Sequence, residues 1–137
     1  MKKIVYTLSF LLVAFASCNT QKGDISNTSQ YVSSGNWKVS LFTDSGNNET
    51  SNYTGYTFTF SDNGTISAVS TGNSRTGTWS VSSSSNKFII DLGAKNDPSN
   101  LLGELSNDWK ILSSSATEIR LGDDNTTSNE FLTFSKN

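Results

Sequence analysis

From Gly35 onward the apolar residues recur at every second position. Trp37, Val39 and Leu41 alternate with Lys38 and Ser40, and Tyr56, Phe58 and Phe60 alternate with Thr57 and Thr59. Ile66 and Ala68 come next, then Trp79 and Val81 against Thr78 and Ser80, then Phe88, Ile90 and Leu92. Trp109 with Ile111, Ile119 with Leu121, and Leu132 with Phe134 complete the series. A period of two with one apolar face and one face of Ser, Thr or charge marks half-buried antiparallel strands. Thr suits the solvated side of such a pleat. The pattern predicts eight short strands.

The segments between them carry turn chemistry. Asp62-Asn63-Gly64 holds the Asn-Gly pair that a type I′ hairpin needs. Thr71 to Ser74, Ser82 to Asn86 and Ser113 to Ala116 are polar connections of hairpin length. Asp97-Pro98 is a helix-start signal, and Leu101, Leu102 and Leu105 fit one or two turns over a barrel end. The expected fold is all-β: an eight-stranded antiparallel up-and-down barrel, in which closure removes exposed sheet edges. A two-sheet sandwich is the alternative. Eight strands enclose a space that side chains can fill or one small ligand can occupy. Trp37, Tyr56, Phe58, Phe60, Trp79, Phe88, Trp109 and Phe134 point inward on this reading and should fill much of it, leaving any cavity narrow and near one mouth.

The N-terminal pattern differs. Lys2 and Lys3 precede a mostly apolar run from Ile4 to Ala16. A membrane-spanning helix needs roughly 20 apolar residues, so this shorter run suits a signal peptide over residues 1–17. Its end, Phe15-Ala16-Ser17-Cys18, resembles the lipobox of bacterial lipoproteins. That resemblance implies cleavage before Cys18 and acylation of it, with the membrane as partner and the outer membrane as address. Several acyl chains, at ~0.8 kcal/mol per buried CH₂, hold a protein stably. Asn19 to Ser34 is polar, with only Ile25, Tyr31 and Val32 apolar, and reads as a flexible tether. Residues 18–34 are thus anchor and tether, and 35–137 the barrel.

Composition removes several function classes. The chain of 137 residues has 10 Lys and Arg against 12 Asp and Glu. Loss of Lys2 and Lys3 with the signal makes it more acidic still, so no basic field for nucleic acid is expected. With no His, Ser-His-Asp and Cys-His arrangements are impossible. One Cys cannot form an internal disulfide or a structural zinc site. Neither enzymatic activity nor a cofactor is expected.

Five short motifs in order are similar to those of the lipocalin-like lipoproteins of Bacteroidetes. They are Gly35-Asn36-Trp37, the F-x-F-x-x-x-G-T stretch from Phe58 to Thr65, Gly77-Thr78-Trp79, Asp108-Trp109-Lys110 and Leu132-Thr133-Phe134-Ser135-Lys136. The resemblance implies a lipocalin-type barrel on a lipid tether. It also places the first long loop, Asp44 to Thr54, over the open mouth, which nominates Tyr53, Tyr56 and Arg75 as ligand-binding residues. The expected function is binding of an apolar small molecule or lipid. The alternative is a structural or interaction module with a filled core that presents its surface to an envelope protein. A continuous apolar cavity of about 300 Å³ would favour the first. A filled interior beside an exposed apolar patch would favour the second. Asp44 to Glu49 lacks the spacing of an EF-hand loop, and Asp91, Asp123 and Asp124 read as turn acids.

Overall fold

The computed structural model describes residues 25–137. The signal segment, Cys18 and the first part of the expected tether lie outside the described residues. The strands are β1 (Asn36–Asp44), β2 (Asn47–Asn48), β3 (Thr57–Phe60), β4 (Thr65–Ser70), β5 (Asn73–Ser82), β6 (Lys87–Asp91), β7 (Asn107–Ser114), β8 (Glu118–Gly122) and β9 (Phe131–Lys136). From β3 onward each pairs antiparallel with the next, and β1 pairs with β3. β9 returns to β1, from Trp37 opposite Lys136 to Thr43 opposite Phe131. That last ladder closes an eight-stranded up-and-down barrel and rules out the sandwich. β2 is a two-residue spur on the end of β1.

The inward positions build one core. Trp37, Phe42, Phe58, Phe60, Phe88, Trp109 and Phe134 are all buried, with Ile66, Ile111, Ile119, Leu121 and Leu132 between them. Tyr56, expected among the inward aromatics, is only half-buried and packs on the core from its edge. Phe60 sits at the centre, edge-on to Trp79, Phe88 and Phe134 at 5.6, 5.7 and 5.4 Å. Edge-to-face pairs at such distances exploit the ring quadrupole in addition to area burial. Each tryptophan also satisfies its indole N–H: Trp37 donates to the Val32 carbonyl, Trp79 to Ser61 and Trp109 to Leu105, at 2.8 to 2.9 Å.

Three expectations are corrected here. First, simple alternation fails at two bulges. The β1–β9 register shifts between Val39 and Leu41, and the β7–β8 register between Ile111 and Ser113. Each shift inverts the faces beyond it, so Phe42 and Ser114 point inward in place of Leu41 and Ser113, which lie half-buried. Second, the tether is shorter than expected. A 3₁₀ turn (Ile25–Asn27) and helix α1 (Thr28–Val32) close the barrel end that carries the short hairpins. Val32 is buried, and the Thr28 and Ser114 hydroxyls lie 2.7 Å apart in a buried hydrogen bond. The few apolar residues of this polar stretch are enough because they meet an open end of the core. Third, Asn63 does not adopt the left-handed conformation that a type I′ turn demands. Only Gly64 does, at φ 83°, and its N–H donates to the Ser61 carbonyl in a wider turn.

Candidate functional site

The long connections gather at the barrel end opposite α1. They comprise the β1–β3 connection, the segment from Leu92 to Ser106 and the β8–β9 loop, with the tight β4–β5 hairpin beside them. Tyr53, which ends a 3₁₀ turn (Thr50–Tyr53), plugs this end. Its ring is 1% exposed, stands edge-on to Phe42 at 5.3 Å, and its hydroxyl donates weakly to the Leu101 carbonyl at 3.4 Å. Burial, reinforced by the carboxylates of Glu104 and Glu49, raises its pKa far above the usual tyrosine value. Tyr53 is thus part of the plug. Beside it, a second 3₁₀ turn (Leu101–Leu105) buries Leu102 and Leu105. The leucine turn stands where the sequence predicts it, but it starts three residues after Pro98. Asp97 instead accepts from the Ser99 N–H and hydroxyl in a tight turn. Those two bonds lower the pKa of the Asp97 carboxylate.

Arg75 organises the loop outside the plug. Its Nε donates to the Leu92 carbonyl at 2.9 Å, which also accepts from Nδ2 of the buried Asn100 at 3.0 Å. The Leu92 N–H donates to the Ser106 hydroxyl at 2.9 Å. The loop then folds back so closely that a Cβ on Gly103 would lie 2.0 Å from the Ala94 carbonyl oxygen. Only glycine fits there. Lys95 bridges to Glu130 at 2.7 Å, with its Nζ 5.8 Å from the Trp109 ring centre. This joins the segment to the β8–β9 loop.

Of the sequence candidates, Tyr56 and Arg75 come together. They line an open groove of about 370 Å³ with Asn73, Pro98, Asn100 and Leu101. Tyr53 is not in it, and instead shares with Tyr56 and Lys38 a separate hollow of about 270 Å³ beside β1 and β3. The first hollow lies on the rim and the second on the barrel wall, both outside a plugged interior. Sequence reasoning missed Asn100 and Ser106, which hold the rim backbone. The only signal for them was their position around the leucine turn. Cys18 lies outside the described residues. Among the described residues no group of three or more acidic, His or Cys side chains is placed to hold a metal ion. None of the described helices is long and apolar enough to cross a membrane.

The class defined by this geometry is a small, closed, eight-stranded antiparallel barrel with a packed interior. The chain is similar in fold to a crystal structure of a DUF4847 family protein from Bacteroides vulgatus ATCC 8482. The TM-score is 0.55 at 17% sequence identity, over 79% of this chain and 96% of that one. At that identity the likeness concerns the fold alone. No family model matches the chain, and no curated protein does.

Proposed function

We propose that this chain is a lipid-anchored, non-catalytic module of the bacterial outer envelope that acts through its surface and carries nothing inside. The observation behind this reading is the packed barrel. Phe58, Phe60, Phe88 and Phe134 are each at most 1% exposed, with α1 over one end and Tyr53, Leu102 and Leu105 over the other. A carrier of an apolar ligand needs an apolar pocket of several hundred Å³. Here that space is occupied by rings. The anchor rests on the lipobox-like Phe15-Ala16-Ser17-Cys18 alone.

Two measurements test the parts separately. Radiolabelled palmitate should mark the wild-type chain and not the Cys18→Ala variant, and label on the variant would remove the anchor. Native mass spectrometry of the delipidated protein after exposure to envelope lipid extract should show no lipid retained. A stoichiometric lipid adduct would restore interior carriage. A second reading, a small ligand bound at the rim, is favoured by the meeting of Tyr56 and Arg75 in one groove. It predicts a saturable adduct lost in Arg75→Ala.

A further inference from the structure

The two bulges lie on the same side of the barrel, in the β1–β9 and β7–β8 ladders. Both are fixed by specific bonds. Asn86 accepts from the Ile111 N–H through its carbonyl and donates to the Ile111 carbonyl through Nδ2, each at 3.1 Å. Ser40 donates to the Thr133 carbonyl at 3.3 Å and pairs with the Ser135 hydroxyl at 2.7 Å. Bulges so held are built features that re-aim side chains. The β1 bulge turns Leu41 outward and Phe42 inward, whereas Leu112 is outward by plain alternation from Ile111 and is the extra residue of the β7 bulge. Leu112 and Phe131, 41% and 42% exposed, converge over Gly122, where an added Cβ would touch both within 3.2 to 3.4 Å. With Leu41, Arg120 and Leu121 they line a shallow apolar hollow of about 220 Å³.

The described cations fall into two groups. Arg75, Lys87, Lys95 and Lys136 each have a partner: the Leu92 carbonyl, Asp124, Glu130 and the Ser34 hydroxyl. The remaining described cations, Lys38, Lys110 and Arg120, have none. All three sit at exposed positions of β1, β7 and β8, the strands that together with β9 carry the apolar hollow. Acidic residues lie toward the ends of these strands: Glu118 at one, Asp44, Asp108 and the Asp123-Asp124 turn at the other. The centre is apolar and its unpaired charges are positive.

We infer that this face docks on a phospholipid bilayer, with Leu41, Leu112 and Phe131 in the interface and Lys38, Lys110 and Arg120 on lipid phosphates. A few apolar side chains are too little for a specific protein interface, which buries at least about 1,200 Å² in total. They are enough as a second membrane contact beside an anchor. The start of the described chain agrees. The Thr28 hydroxyl bonds Ser114 at the end of β7, so the chain leaves the barrel next to this face. The stretch from Cys18 to Asp24 spans up to roughly 24 Å at ~3.4 Å per residue, about the length of a barrel strand.

The inference rests on the surface-binding reading and commits it to a lipid partner, but it does not need acylation. Every core side chain lies between Thr28 and Phe134, so a chain beginning at Asn19 contains the whole folded unit and omits Cys18. That chain should co-sediment with mixed phosphatidylcholine–phosphatidylglycerol vesicles, less with phosphatidylcholine alone, and less as salt is raised. Each charge near an anionic surface is worth about fivefold in partitioning. Replacing Lys38, Lys110 and Arg120 together by Gln should therefore lower binding on the order of a hundredfold. Leu112→Ser with Phe131→Ser should also release the protein, whereas Val69→Ser with Leu101→Ser, equally exposed elsewhere, should not. Circular dichroism would verify that each variant is folded. Absence of vesicle binding, or equal loss in the Val69 and Leu101 control, overturns the inference. Capture of an envelope protein by this face without vesicle binding also overturns it, while leaving the surface-binding reading intact. A lipid held inside the barrel would instead overturn that reading.

Discussion

Truncating Phe60 to Ala asks directly whether the barrel is packed or hollow. Phe60 is 1% exposed and meets three rings edge-on, those of Trp79, Phe88 and Phe134. A Phe→Ala change in a close-packed core costs about 3–5 kcal/mol, from lost transfer energy plus the cavity left behind. Three aromatic pairs, at ~0.5–1.5 kcal/mol each beyond area, place this site in the upper half of that range, near 4 kcal/mol. With about 4 °C per kcal/mol for a domain of this size, the midpoint should fall by roughly 15 °C. Urea denaturation with an unchanged m-value would measure the cost at fixed exposed surface. The new cavity would be dry and apolar, so benzene should bind the variant and restore part of the loss. A cost below about 2 kcal/mol, or benzene binding to the wild type, would refute the packed interior and return the barrel to the carriers.

Three further outcomes follow from the plugs at the two ends. The pKa of Tyr53 is raised in the folded state, so its contribution is complete below about pH 10, the ordinary value, and is lost as pH rises beyond it. Wild type should lose about 1.4 kcal/mol per pH unit relative to Tyr53→Phe there, and parallel curves in urea denaturation would contradict the burial. Gly103→Ala places a Cβ 2.0 Å from the Ala94 oxygen; overpacking of ~1–3 kcal/mol and faster proteolysis between Gly93 and Asn100 should appear, and an unchanged cleavage rate would show that the loop yields freely. A chain beginning at Gly35 loses the buried Val32 and leaves the Trp37 indole N–H without its acceptor. It should lose about 3–5 kcal/mol and bind a hydrophobic dye, whereas equal stability would restore the longer tether.

The barrel was legible because its signal is local and repeated. Phe58 and Phe60 against Thr57 and Thr59 need no tertiary knowledge to be assigned faces, and the number of inward aromatics implied that much of the interior is filled. The rim was legible only as a set of residues. Tyr56 and Arg75 meet in one groove, whereas Tyr53 turned inward because Phe42 and the Leu101 carbonyl offered its ring and hydroxyl better partners than water. Polarity misled at the N-terminus. The segment from Thr28 to Val32 has little apolar area, but burial depends on what the rest of the chain leaves uncovered, and the open barrel end is invisible in a one-dimensional pattern.

The bulges show the same limit where it bears most on function. A period of two assigns Leu41 to the core beside Val39 and leaves the adjacent Phe42 on the solvated face. What moves Leu41 out is one unpaired residue, Ser40, held by groups on β9 about ninety positions away. On β7 the corresponding agent is Asn86, across a hairpin from Ile111. The β1 bulge exchanges Leu41 for Phe42 on the inner face, and the β7 bulge has Leu112 as its extra outward residue, so both leucines stand on the same side as Phe131 and the unpaired Lys110 and Arg120. Straight pairing would bury Leu41 but turn the fully buried Phe42 out, and it would leave Leu112 outside. Burial of Phe42 therefore accounts for the β1 bulge, and the case for the outer face rests on exposed Leu112 and Phe131 beside cations without partners.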